Sequence, residues 1–545
     1  MDKFIPPRRP NLKISLFTAG LILGILACQN SETLPTSHPV EGPIVIKTEN
    51  GDIRGVPVGT GSAVIAYRAV PYAQPPVGDL RWRPPQQVIS WEGVREAVDF
   101  GPSCSQPSQN LIPDVEGMKS EDCLYLNVWT EAEQGDRRPV MVWIHGGGFS
   151  IGSGSQSIHE GTNFAESGIV LVTINYRLGP FGFLAHPALS AESPQDISGN
   201  YGLQDQIAAL KWVQRNITAF GGDPENVTII GESAGSVSVS YLLVSPQAKG
   251  LFHKAILQSG VAAKSTPLRS NDRSIISGEL VGVEIAEQLG VDDPASPSQE
   301  TAAQLRRVTA DELIKASDPR VGLFGDGRQM WPLIDGVVLP QSAFDTFAAG
   351  QHNAVPVLIG SNAHEGTLFL RQIPIYGPLG YEVFVKAVFG QNSDQVLGMF
   401  PTTSREQTRS ALAELITVTT FTCPTRRAAR LIEKQAPPIW MYHLTRVSPG
   451  GEKNGLGATH GVDVFYIFKN LPQDNYINEI DLDVANAMHD TWVRFARTGD
   501  PNGGGLPDWP AYRTATDSHL EFGDEVIAES GLWSEACDLL DEITD

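Results

Sequence analysis

The chemistry-bearing residues gather first at Gly231-Glu232-Ser233-Ala234-Gly235, which fits the pattern Gly-x-Ser-x-Gly. A serine in this setting becomes a nucleophile for acyl transfer when a strand turns sharply into a helix at that residue. The run before it, Val227-Thr228-Ile229-Ile230, is β-branched as a buried parallel strand requires. Ser236 to Val244 can open the helix. Ser233 would then sit at a strained backbone position, with glycines on either side leaving room because they lack Cβ atoms. The first N–H groups of the helix are free to meet a developing oxyanion. The pentapeptide alone also describes a plain glycine turn; the strand before it and the helix after it raise the catalytic reading.

A second stretch, His145-Gly146-Gly147-Gly148-Phe149, follows the apolar run Pro139 to Ile144. Three glycines directly after a buried strand let the backbone approach a substrate and turn N–H groups inward, as in the oxyanion loops of lipases and esterases. Other elements must position these two stretches. Asp122 to Trp129 alternates apolar and polar residues, Ile169 to Ile174 is a further buried strand, and Lys254 to Gln258 another. From Tyr201 to Phe220, Leu203, Ile207, Leu210, Val213 and Ile217 fall on one helical face. Ile44 to Thr48 and Ile53 to Val56 flank Asn50-Gly51, a strong hairpin signal. The proline- and aromatic-rich segment Tyr67 to Pro85 reads as an ordered loop that cannot be helical. Strands alternating with helices define an α/β fold with a mostly parallel central sheet and helices on both faces. Stretches 262–355 and 371–430, helical in pattern but broken, would form a cap over the site.

The chain has 545 residues, 41% of them hydrophobic and 19% charged, enough for a large core. Its net charge of −22 argues against a nucleic-acid partner, which needs clustered Lys and Arg. Lys3, Arg8, Arg9 and Lys13 precede the apolar run Ile14 to Ala27, the form of a secretory signal. That run ends in Ile25-Leu26-Ala27-Cys28, resembling a bacterial lipobox in which Cys28 is lipidated and becomes the mature amino terminus. The expected organisation is a signal at 1–27, a polar tether at 28–42 and one domain at 43–545. A plain cleaved signal, or an uncleaved anchor with Cys28 incidental, is the simpler alternative. The lipidated form would place the protein outside the cytoplasm, held to a membrane, in the periplasm or at the cell surface. Setting Cys28 aside, Cys104, Cys123, Cys423 and Cys537 allow three pairings, and export permits disulfides. Neither a His-Glu-x-x-His nor a paired Cys-x-x-Cys occurs, so no metal or other cofactor is implied.

Taken together, these motifs resemble the type-B carboxylesterase and cholinesterase-like family of α/β-hydrolases, with bacterial para-nitrobenzyl esterases similar. The resemblance runs across almost the whole mature chain. It is carried by Tyr72 to Gly78, Ser120 to Asn127, His145 to Phe149, Asn175-Tyr176-Arg177, Gly202 to Gln206, Phe220 to Pro224 and the serine pentapeptide. Trp492, Phe495-Ala496, Gly499 to Asn502 and Trp509-Pro510 continue it. It implies a carboxylesterase acting on a small-molecule carboxylic ester. Ser233 would be the nucleophile, Glu365 in Gly360 to Gly366 the acid, and His460 in Gly457 to Asp463 the base. The oxyanion donors would be the backbone N–H groups of Gly147, Gly148 and Ala234. It also implies disulfides Cys104–Cys123 and Cys423–Cys537.

Competing residues are weighed on position. His364 adjoins Glu365 and points away from it, His145 orders the glycine loop, and His489 lies on an amphipathic helix as a structural residue. Asp463 is the runner-up acid, and Glu232 is expected to border the site and add negative field; the resemblance implies that Ser259 is a supporting hydrogen-bond partner. Cholinesterases carry a choline-binding tryptophan in the first disulfide loop; Ser105 to Asp122 contains no aromatic residue here, which removes the cation–π platform. Two rivals remain at this stage. One is a non-catalytic relative; the other is an acyl hydrolase of different preference, such as a lipase, amidase or carbamate hydrolase.

Overall fold

The structure is a computed structural model. It describes residues 45–544 except 109–114, 116, 273, 324–326, 373–376, 436 and 473–475. The expected signal, Cys28 and the tether lie outside the described residues.

An eleven-stranded sheet organises the chain. Its strands are β1 (Val56–Pro57), β2 (Ile65–Pro71), β3 (Tyr125–Thr130), β4 (Arg138–Ile144), β5 (Val170–Ile174) and β6 (Gly222–Glu232). They continue with β7 (Lys254–Gln258), β8 (Val357–Asn362), β9 (Ile439–Leu444), β10 (Ser518–Phe522) and β11 (Val526–Ser530). Across the sheet the order is β11-β10-β9-β8-β7-β6-β4-β5-β3-β2-β1. From β5 through β10 the strands run parallel, while β11 on one edge and β3, β2, β1 on the other are antiparallel.

Buried on both faces, the parallel strands are apolar runs rather than alternating ones. Met141, Trp143, Ile230, Ile256 and Leu358 share a core with Trp492 and Phe495 of helix Glu479–Thr498. Alternate residues Val142, Ile229, Leu257 and Ile359 are equally buried and point to the opposite face. Helices Tyr201–Asn216 and Ala234–Val244 also pack on β6. The start of the first of these is fixed by a buried ion pair: Arg177 Nε and Nη2 each donate to Asp205 at 2.7 Å. This pair explains why the Asn-Tyr-Arg and Gln-Asp-Gln motifs belong to one framework.

The strand order turns back at β4: the chain goes out to β5, then returns to lay β6 on the other side of β4. A ligand crevice opens at the carboxyl ends of the strands at such a switch point. Between β7 and β8 come helices Gly278–Gln288, Gln299–Arg307, Ala310–Ser317 and Ala343–Ala348. Between β8 and β9 come Pro378–Phe389, Ser393–Met399, Arg405–Ile416 and Cys423–Ile432. These are the two broken helical stretches expected of the cap.

Two expectations are corrected. Tyr67 to Pro71 is strand, not loop, because β2 pairs antiparallel with β3 across a bulge between Tyr67 and Val70. Gly78–Leu80 forms one 3-10 turn within the segment read as non-helical. The Asn50-Gly51 hairpin forms as expected, with Thr48 opposite Gly51.

Candidate active site

Ser233 stands between β6 and helix Ala234–Val244 at φ 56° and ψ −124°, a left-handed conformation that a β-carbon disfavours. The glycines around it are required sterically. A Cβ on Gly235 would lie 1.9 Å from the Ile144 oxygen, and one on Gly231 would lie 2.4 Å from the Gly235 carbonyl carbon. Register brings the glycine loop alongside, because Gly231 of β6 pairs with Ile144 of β4. The Cβ direction of Gly146 passes 3.1 Å from Ser233 Cβ.

Gly147 has φ 106° and Gly148 φ 62°, so the loop can fold back on itself. Ser150 and Ile151 N–H groups both donate to the Gly147 carbonyl at 3.1 Å. Among the described residues, the N–H groups of Gly147, Gly148 and Ala234 are not spent on any turn or loop hydrogen bond. At the loop base, His145 stacks on Tyr176 with ring centroids 4.5 Å apart, and the Tyr176 hydroxyl donates to the His145 carbonyl at 3.0 Å. His145 therefore orders the loop, as its position suggested. Burial pulls its imidazole down to about 4.

Glu365 lies three residues past β8 and is fully buried. One of its oxygens accepts from the Asn362 N–H at 2.7 Å; the other meets His460 Nδ1 at 2.7 Å. Two contacts clip the Glu365 and His460 loops together: His364 N–H donates to the Ala458 carbonyl at 3.0 Å, and Asn362 Nδ2 to the Thr459 carbonyl at 3.0 Å. His364 is used in that clip, with Nδ1 accepting from the Ala458 N–H at 3.1 Å. The runner-up Asp463 is held elsewhere. It accepts from Gln258 Nε2 at 2.6 Å, Asn362 Nδ2 at 3.2 Å and the Tyr442 hydroxyl at 3.3 Å. His489 is structural: Nδ1 meets the Ile467 carbonyl at 2.7 Å and Nε2 the Ser167 hydroxyl at 2.9 Å. Ser259 is fully buried, and its hydroxyl finds no hydrogen bond among the described residues.

The other imidazole nitrogen, His460 Nε2, lies 3.2 Å from Glu232 Oε1. It therefore reaches the residue immediately before Ser233, and among the described residues no hydrogen bond joins it to the serine hydroxyl. Burial would lower the pKa of this imidazole, but the carboxylates of Glu232 and Glu365 outweigh burial and raise it to about 9. Burial pushes Glu232 up to about 8, opposed by His460 and reinforced by Asp463 and Glu365. Burial also raises Asp463, with Glu365 adding to it.

Sequence reasoning did not foresee the direct contact between Glu232 and His460, although the place of Glu232 on the residue before the elbow serine was its signal. It also missed the aromatic wall beside His460. Phe369 and Phe421 lie with ring centroids 5.0 and 4.8 Å from His460. Phe369 sits four residues past Glu365; Phe421 lies in the π-helical turn Thr417–Thr422, where no helical period could be read. Both disulfides implied by the resemblance are present, Cys104–Cys123 and Cys423–Cys537. Among the described residues no group of His, Cys, Asp and Glu side chains is arranged to hold a metal ion.

A mostly parallel sheet with a strained serine at the carboxyl end of a central strand defines an α/β-hydrolase. Residues 42–540 match the model of the carboxylesterase family. The chain is 36% identical over 521 residues to the fumonisin B1 esterase of Sphingopyxis macrogoltabida, covering 92% of each. It is 33% identical over 504 residues to the para-nitrobenzyl esterase of Bacillus subtilis, covering 90% of this chain and 97% of that one. To liver carboxylesterase 1 of Oryctolagus cuniculus it is 34% identical over 536 residues, covering 89% and 90%. Among solved structures, a para-nitrobenzyl esterase superposes with TM-score 0.77 at 32% identity, covering 91% of this chain and 99% of that one. A thermophilic para-nitrobenzyl esterase superposes with TM-score 0.78 at 31% identity and the same coverage. The chain belongs to the carboxylesterase family, and it is a carboxylic ester hydrolase.

Proposed function

We propose that this hydrolysis runs through an acyl-enzyme on Ser233, with His460 as the base and Glu365 as its orienting acid. The observation that carries the reading is the 2.7 Å hydrogen bond from His460 Nδ1 to the buried Glu365 carboxylate. It fixes the tautomer, leaving Nε2 to take a proton from the serine. To do so Nε2 exchanges Glu232 Oε1 for the Ser233 hydroxyl. As Ser233 Oγ attacks the ester carbonyl, His460 takes the proton and Glu365 stabilises the imidazolium. The N–H groups of Gly147, Gly148 and Ala234 receive the oxyanion, each such donor contributing about 3 kcal/mol in the transition state. The alcohol leaves with the proton from His460. A water activated by the same imidazole then releases the acid and restores the serine.

The Phe369 and Phe421 rings beside His460 favour esters with an apolar group near the reacting carbonyl. The named relatives add para-nitrobenzyl esters and fumonisin B1 to the candidate substrates. A short nitrophenyl ester is the direct test. Ser233→Ala should lower its turnover by at least about a thousandfold, and a variant retaining full activity contradicts the reading. In the same panel acetylcholine should show no preference over an uncharged ester of equal length, since the disulfide loop offers no aromatic platform.

The amino-terminal residues support export with lipid attachment at Cys28, which would tie the domain to a membrane through the tether at 28–42. Mass spectrometry of the amino-terminal peptide tests this: a diacylated Cys28 supports it, and an unmodified or uncleaved terminus contradicts it.

A further inference from the structure

The glycine loop has an outgoing limb, Ile151 to Gly154, whose anchors are distinct from those at its base. Gly154 N–H donates to Asn175 Oδ1 at 2.9 Å. Gly152 is gripped on both of its backbone groups by one side chain. Gln106 Nε2 donates to the Gly152 carbonyl at 2.9 Å, and the Gly152 N–H donates to Gln106 Oε1 at 2.9 Å. The remaining amide hydrogen of Gln106 goes to the Cys104 carbonyl at 2.9 Å. Gln106 is only 6% exposed, and all of its donors are used.

A side-chain amide paired this way imitates one rung of a strand ladder, and only Asn or Gln carries the planar amide that sets donor and acceptor side by side as a peptide does. The platform behind it is rigid. Cys104 is joined to Cys123, and Ser103 and Ser105 N–H groups donate to the Met118 and Ser120 carbonyls at 2.9 and 3.0 Å. The limb it grips is coupled to the loop apex. Ile151 N–H holds the Gly147 carbonyl at 3.1 Å, and a Cβ on Gly147 would lie 2.2 Å from the Ile151 oxygen. The direction of the 147 and 148 peptide planes is therefore set by where residues 151 and 152 stand. Space at Gly152 is as tight, since a Cβ there would lie 2.4 Å from His145 Nδ1.

We propose that Gln106 is a positioning residue for ester hydrolysis: by pairing with Gly152 it aims the N–H groups of Gly147 and Gly148 at the reacting carbonyl oxygen. This rests on the reading of those groups as oxyanion donors. Gln106 touches no reacting atom. Its effect appears only when charge develops on that oxygen, so it belongs to the transition state and not to substrate binding. Without it the Gly152 N–H and carbonyl are left buried and unpaired, and the limb shifts to repair them.

The test uses Gln106→Ala and, to keep the packing volume, Gln106→Met. Active sites are counted by titration with a fluorophosphonate, so that only folded enzyme enters the rates. The expected result is a fall of about ten- to a hundredfold in kcat with KM little changed. Affinity for an aryl trifluoromethyl ketone, whose hemiketal oxygen mimics the oxyanion, should fall by the same factor. Affinity for an unreactive ground-state analogue should hold. Unchanged kcat and ketone affinity in either titrated variant overturns the proposal, as does an equal loss of ketone and ground-state affinity, which marks general damage. Failure of the unaltered enzyme to bind the ketone more tightly than the ground-state analogue would strike the oxyanion reading instead.

Discussion

His460 stands between two carboxylates, Glu365 at 2.7 Å on Nδ1 and Glu232 at 3.2 Å on Nε2. In the proposed mechanism the first contact is what the base needs, and the second occupies the nitrogen that would accept the serine proton. With its pKa raised to about 9, the imidazole keeps its proton above neutrality, and a protonated base is idle. Turnover should therefore rise through alkaline pH. Replacing Glu232 by Gln removes a carboxylate that raises the imidazole, so its pKa falls and neutral base is available at lower pH. The acid limb of kcat/KM should move down in Glu232→Gln. A limb that stays in place, or moves up, contradicts this account of the contact. The two candidate acids separate at the same scale. Glu365→Gln leaves the imidazole without its anchor, and kcat should fall on the order of 10^3- to 10^4-fold. Asp463→Asn, which keeps the size of the side chain and loses only one acceptor oxygen beside Gln258, Asn362 and Tyr442, should stay within about tenfold of the starting enzyme. The opposite ranking would move the acid to Asp463.

The elements explain why residues so distant meet. β4 and β6 are neighbours only because the chain turns back at β4, and this sets the glycine loop against the elbow serine. β8 and β9 extend the same parallel edge, so the loops after them carry Glu365 and His460 to the same end. The strands nearest the site were legible because they are continuous apolar runs: Lys254 to Gln258 forms with the bounds read from sequence, and β4 and β5 within a residue. The wing and edge strands β2, β9, β10 and β11 were not. Pro71 and the aromatics hid β2, and Val526–Ser530 is largely exposed and carries no apolar pattern. Between β8 and β9 the cap is tied to the carboxyl terminus by Cys423–Cys537, reinforced by Arg426 and Arg430, which pair with Asp538 at 2.9 and 2.7 Å. Replacing both cysteines by serine should cost about 2–5 kcal/mol of unfolding free energy, measured by denaturant unfolding under oxidising conditions. Turnover per titrated active site should not change, because none of these groups touches the site. Undiminished stability would show that the ion pairs alone hold the terminus.

At the scale of the molecule, fold and chemistry were readable to different depths. The serine turn and the glycine loop are local motifs whose steric needs are written in their glycines. The resemblance supplied Glu365 and His460 because no local pattern marks a residue whose partner lies in another loop. What escaped was what three dimensions alone create: the Glu232 contact, the network of Gln258, Asn362 and Tyr442 around Asp463, and the aromatic wall of Phe369 and Phe421. The central claim is that one serine, primed by one imidazole, carries the acyl group. Peptide mapping after brief reaction with a slowly hydrolysed ester measures this directly. The account predicts the acyl mass on the peptide bearing Ser233, and its loss in His460→Ala. An acyl group on any other residue, or equal acylation of Ser233 without His460, would contradict it.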